Sequence, residues 1–151
     1  MAEGGERTAV RALEITLGLA LQRFNERRYA ESETLYRRAL EMYPAHADAL
    51  NMLGVVLAER GNPLQALKHI DEAIRIAPGA AAYHTNRGEI LRRWGVLDDG
   101  LTSCRRAVEL DPSSPEARNN LGLALLGTGA CAEALVHIEA AIALKPGMAQ
   151  A

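Results

Sequence analysis

Four prolines, Pro44, Pro78, Pro112 and Pro146, stand at successive intervals of 34 residues. Proline lacks an amide hydrogen, and the residue before it disfavours the helical region, so each marks the end of a helical run. A stop every 34 residues leaves room for two short helices per interval and makes each interval a copy of one unit. Such units stack, because one helix pair cannot bury its apolar stripe alone. The clearest copy runs from Ala47 to Pro78 as two amphipathic stretches broken at Gly61-Asn62-Pro63. Its Leu53-Gly54 pair returns 68 residues later as Leu121-Gly122.

In that copy Leu50, Leu53, Gly54 and Leu57 precede Ala66, Ile70, Ala73 and Pro78. The fourth copy repeats them as Arg118, Leu121, Gly122, Leu125, Ala134, Ile138, Ala141 and Pro146. The third is looser, with His84, Arg87, Gly88, Leu91, Gly100, Cys104, Ala107 and Pro112. The first reads Thr16, Leu19, Ala20, Arg23, Ser32, Tyr36, Ala39 and Pro44. This spacing resembles the tetratricopeptide repeat, whose pattern is W-x2-L-G-x2-Y, then A-x3-F, then P. The resemblance spans about 134 of the 151 residues. It implies an all-α fold, a right-handed α-solenoid of four helix hairpins. The repeats fall at about 13–46, 47–80, 81–114 and 115–148, within a domain at 8–146.

The residue types follow from packing. Small residues at Ala20, Gly54, Gly88 and Gly122 let two helices approach closely, facing Ser32, Ala66, Gly100 and Ala134. Gly61, Gly95 and Gly129 stand where the first helix of a hairpin ends, in the left-handed conformation of a C-terminal cap. The first repeat has Arg27 there, which predicts a poorer cap. Asn62-Pro63 and Ser114-Pro115 read as an N-cap followed by proline in the first turn. Helices are expected over Thr8–Asn25, Tyr29–Met42, Ala47–Arg60, Pro63–Ala77, Ala80–Trp94, Leu97–Leu110, Glu116–Thr128 and Cys131–Leu144. Residues 1–7 are expected to be a flexible start. Residues 147–151 read as the opening of a truncated fifth repeat or a tail, so the chain is expected to be a fragment of a longer protein.

Composition narrows the partners. A formal charge of −2, a pI near 6.1 and 4% aromatic residues give no electrostatic footprint or stacking platform for nucleic acid. The longest apolar runs, such as Leu121–Leu126, are too short to span a bilayer, so no membrane insertion is expected. No secretory signal is visible, and two cysteines, Cys104 and Cys131, suit a cytoplasmic setting. The four histidines have no metal-ligand spacing, and Gly122–Gly129 lacks the lysine and preceding strand of a phosphate loop. Asp98-Asp99 suits the N-terminus of a helix better than acid–base work. No catalytic constellation, metal site or cofactor is implied, and an enzyme is not expected.

In arrays of this family the first helices line a concave surface. That implies groove positions at Leu17, Leu21 and Phe24, at Asn51 and Val55, at Asn86, Glu89, Arg92 and Arg93, and at Asn119, Asn120 and Leu123. The Asn119-Asn120-Leu121-Gly122 wording is similar to repeats of O-linked N-acetylglucosamine transferases, where an asparagine ladder grips extended peptides. Asn86 and Asn120 are equivalent here, while Gly18 and Met52 replace asparagine in the other two repeats. A carboxylate clamp for chaperone C-termini is not expected, because Leu17, Leu21 and Ala82 stand where it needs basic or amide groups. The function implied is a scaffold that binds a protein or peptide partner. The alternatives are the substrate-recruiting arm of a larger enzyme such as a glycosyltransferase, or a homo-oligomer joined through the ends of the array.

Overall fold

A computed structural model of the protein describes residues 2–145, with side chains described for residues 7–145. The described residues form α1 (Ala2–Asn25), α2 (Tyr29–Met42), α3 (Ala47–Glu59), α4 (Pro63–Ile76), α5 (Ala81–Arg93), α6 (Leu97–Leu110), α7 (Pro115–Gly127) and α8 (Cys131–Leu144), with no strand among them. Seven of these agree with the expected spans to within one residue at each end. The exception is α1, which starts at Ala2 instead of Thr8. Once a helix has formed, each added residue gains a hydrogen bond without a new nucleation cost, so the run extends back through Gly4-Gly5. Pro146 and the fifth-repeat opening at 147–151 lie outside the described residues.

The chain divides after Ile76 into two compact units, residues 1–76 and 77–151. The first holds the hairpins α1–α2 and α3–α4, with α2 packed on α3. The second holds α5–α6 and α7–α8, with α7 packed on both α5 and α6.

Every hairpin turns in the same way. The first helix ends in a six-to-one backbone bond, from Arg28 N to Arg23 O at 2.8 Å and, at 2.9 Å each, from Asn62 N to Leu57 O, Val96 N to Leu91 O and Ala130 N to Leu125 O. The residue before each donor must be left-handed. Gly61, Gly95 and Gly129 meet this with φ of 82°, 79° and 84°, and Arg27 meets it at 59° despite its Cβ. The second turns of the repeats are capped differently. Ser114 Oγ accepts from Ala117 N at 3.1 Å, as expected, and His46 Nδ1 does the same for Ala49 N at 3.2 Å. His46 is thus the N-cap of α3.

Within each hairpin the two backbones touch. A Cβ added at Gly54 would lie 2.5 Å from Ile70 Cγ1 and 2.8 Å from the carbonyl oxygen of Ala66. At Gly122 the same atom would meet Ile138 Cγ1 at 2.6 Å and Ala134 O at 3.1 Å, and at Gly88 it would strike Cys104 Sγ. The first hairpin tolerates Ala20, fully buried, and fastens the crossing with a bond from Ser32 Oγ to Ala20 O at 2.8 Å. The looser third repeat places Arg87 where Leu53 and Leu121 are buried. Arg87 Nη1 donates to Ser103 Oγ at 2.7 Å, and that hydroxyl donates to Asp99 O at 2.9 Å, so the guanidinium has a polar partner within its own hairpin.

Two consequences can be measured by chemical denaturation. Gly54→Ala is expected to destabilise the protein by about 1–3 kcal/mol, because the nearest obstacle includes backbone and cannot rotate away. Arg27→Gly is expected to stabilise it by roughly 0.5–1 kcal/mol, the relief of left-handed strain outweighing glycine's greater freedom when unfolded.

Candidate functional site

The residues expected at a ligand surface are carried by α1 and α3 in the first unit and by α5 and α7 in the second. On α1, Leu21 is 46% exposed, while Leu17 and Phe24 are half-buried. The Phe24 ring lies 5.6 Å from that of Tyr29, tilted by 52°, so it closes the α1–α2 turn as well as edging the surface. On α3, Val55 is half-buried and Asn51 is only 5% exposed. This corrects the expectation for Asn51, which is not offered to a ligand. Residues from Ala49 to Ala58 are buried around most of α3, and an amide within that stretch is enclosed. Asn119 holds the same repeat position on α7 and is exposed.

In the second unit Asn86 is half-buried beside a cavity of about 250 Å³, shared with Thr85, Asp111, Ser114 and Glu116. The α6–α7 loop brings Asp111, the C-cap of α6, there. Asp111 Oδ1 accepts from Ser113 N at 3.0 Å and Ser113 Oγ at 2.6 Å, and these donors hold its carboxyl below the usual range. The Lys145 ammonium does the same for Glu116. At neutral pH the mouth of this cavity therefore holds the Asp111 carboxylate beside a Glu116–Lys145 ion pair. Asn119 opens instead on a different cavity of about 260 Å³ between α7 and α8, with Ile142 and Lys145. Asn120 and Leu123 are half-buried on α7.

At the other end of α5 the surface turns cationic. Arg93 lies 3.9 Å from Glu89 and 5.3 Å above the Trp94 ring, which together orient its guanidinium. Arg92 is half-buried, and its Nε is enclosed without a hydrogen-bond partner among the described residues. Thus α5 has the Asp111 carboxylate near its N-terminus and arginines at its C-terminus, about 15–20 Å apart along a 13-residue helix.

Nucleophile chemistry has little support in this arrangement. Burial pushes the Cys104 thiol up to about 11 and the Tyr36 hydroxyl up to about 12. Burial, followed by the nearby charges of Arg37 and Lys68, holds His69 below its ordinary value. Among the described residues no group of three His, Cys, Asp or Glu side chains could hold a metal ion.

Comparison with known proteins agrees with this geometry. The tetratricopeptide repeat family matches residues 17–81 and again 85–149, and the chain belongs to that family. Its fold class is accordingly the α-solenoid. The chain is 35% identical over 91 residues to the inactive TPR repeat-containing thioredoxin TTL3 of Arabidopsis thaliana, covering 60% of this chain and 13% of that protein. It superposes on a variant of the Thermobaculum terrenum O-GlcNAc transferase with a TM-score of 0.75 and 31% identity, covering 78% of this chain and 22% of the transferase. YrrB, a TPR protein with an unusual peptide-binding site, superposes with a TM-score of 0.71 at 22% identity, over 95% of this chain and 81% of that one. The chain spans only 11 to 17% of the length of four curated relatives it matches.

The contrast between Asn51 and Asn119 is testable. Asn51→Ala is expected to cost about 1–3 kcal/mol in urea denaturation, since a buried amide leaves its neighbours unsatisfied. Asn119→Ala should stay within about 0.5 kcal/mol of wild type.

Proposed function

We propose that this chain is a non-catalytic protein-interaction module that takes an extended peptide or a helix of a partner protein on its first helices. In the second unit the α5 and α7 surface supplies amides at Asn86 and Asn120, which can hold a peptide backbone because each both donates and accepts. The arginines at Arg92 and Arg93 select an anionic side chain or terminus, with Glu89 steering Arg93. In the first unit Leu17, Leu21 and Val55 offer apolar contact, with the edge of Phe24 beside them. Asn119 and Leu123 flank the α7 side. The observation that carries this reading is the pair of arginines closing α5, half-buried Arg92 and exposed Arg93, the latter oriented by Glu89 and the Trp94 ring. A protein of this fold, YrrB, has a peptide-binding site, so the fold accommodates one.

A second reading is favoured by the likeness to the O-GlcNAc transferase at 31% identity and by the Asn119–Gly122 wording. In it the module is the substrate-recruiting arm of a longer enzyme, with the chemistry elsewhere. Both readings suit a reducing compartment such as the cytoplasm, since Cys104 and Cys131 are free thiols. No helix among the described residues is long and apolar enough to cross a membrane.

The test is a positional-scanning peptide array followed by fluorescence anisotropy with the best acidic peptide. Arg92→Ala is expected to weaken that peptide by roughly 10- to 100-fold, the worth of a charge-assisted hydrogen bond. Asn86→Ala with Asn120→Ala should weaken acidic and neutral peptides alike. An array without selected peptides, or equal binding by both variants, would sink the proposal.

A further inference from the structure

Each unit contains one joint between a hairpin and the next, and the two joints differ in chemistry. In the second unit Leu101 and Val108 of α6 pack against a core cluster that includes Leu121, Ala124 and Leu125 of α7. In the first unit α2 packs on α3, and register sets Leu40 in the place of Val108 and Glu33 in the place of Leu101. The other three repeats all have leucine there, as Leu67, Leu101 and Leu135. Glu33 thus puts a carboxylate where the joint is otherwise apolar, and its side chain is only 13% exposed. A charge so enclosed needs partners. Glu33 accepts from Arg37 Nε at 2.9 Å in its own helix and from Nη1 of Arg60, the C-cap of α3. Burial alone pushes the Glu33 carboxyl up, but the bonds from the two arginines hold it below its ordinary value, so it is ionised at neutral pH. The side chains of Arg37 and Arg60 are 46% and 42% exposed, so dissolved ions reach this bridge. The second unit also holds α7 through both α5 and α6, whereas the first holds α3 through α2.

We propose that the α2–α3 joint is an ionic latch, from which the α1–α2 hairpin detaches as a unit when Glu33, Arg37 and Arg60 are screened or neutralised. Detachment uncovers Leu53, Val56 and Leu57 of α3, which stand at the register of Leu121, Ala124 and Leu125 and are each 1% exposed or less. It also parts Leu17 and Leu21 of α1 from Val55 of α3, which removes the apolar half of the peptide surface and leaves the α5 and α7 half in place. That last consequence rests on the function proposed above; the latch itself does not.

Amide hydrogen exchange on the full 151-residue chain tests the latch without any peptide. A detached helix pair cannot hold its fold alone, so its amides exchange whenever the latch opens. Between about 0.05 M and about 1 M sodium chloride, exchange in α2 is expected to quicken roughly three- to tenfold relative to its equivalent α6. Arg60→Ala should quicken α2 by a similar factor at low salt and blunt the salt response. Arg60 is well exposed, so this variant should keep the wild-type circular dichroism spectrum. Glu33→Leu, which installs the residue of the other repeats, should slow exchange in α2 and abolish its salt dependence. An equal salt response in α2 and α6 would overturn the proposal. So would exchange in α2 no faster than in α3, which would mean no separate opening, or a Glu33→Leu variant that keeps the salt response.

Discussion

Two helix backbones brought into contact without intervening side chains are the constraint on which this protein rests. At Gly54 the facing carbonyl of Ala66 leaves no room for a methyl, and Gly122 and Gly88 stand in the same relation to their partners. Close approach at one point sets where Ile70, Cys104 and Ile138 insert one turn on, so the small residue decides the fit of the large one. The Schellman turn then follows, because two helices held this close must be joined by a reversal of only a few residues. Gly61, Gly95 and Gly129 make that reversal without strain, and Arg27 makes it against its preference.

Ligand surface and fold are separable in such a scaffold. The helix faces used within a hairpin are small and apolar, so variation on the remaining face leaves the packing undisturbed. The third repeat shows the limit of this freedom. Arg87 occupies a position that is leucine in two other repeats, and it is accommodated through Ser103, a polar partner on the paired helix. The charge pattern along α5, with the Asp111 carboxylate at one end and Arg92 and Arg93 at the other, is chemistry added to a conserved geometry of packing rather than a product of it. The Asp98-Asp99 pair opens α6 and the Glu116 carboxylate opens α7, where acidic groups also favour the helix dipole.

Much of this was legible in the chain itself. The 34-residue spacing of prolines, the glycine at three of the four hairpin turns and the small-residue pairs predicted seven of the helices to within a residue at each end. The start of α1 was not legible, since glycine and charge say little about how far a formed helix propagates. Nor was the role of His46, whose ring nitrogen caps α3 only because the turn places it over Ala49 N. Repeat register does not fix exposure at the positions it assigns to the groove: Leu21 and Asn119 are exposed, whereas Asn51, at the register of Asn119, is enclosed.

The sequence by itself determined the local rules, which residues end a helix, which turn left-handed and which are too small to keep two backbones apart, because these depend on neighbours within one or two turns. Only the tertiary structure decided which of several equivalent residues meets solvent. It brought Asp111 and Glu116 beside Asn86, buried Asn51 and left Asn119 exposed. Identical repeat positions have the same local geometry but different neighbours, and exposure is set by the helix lying opposite.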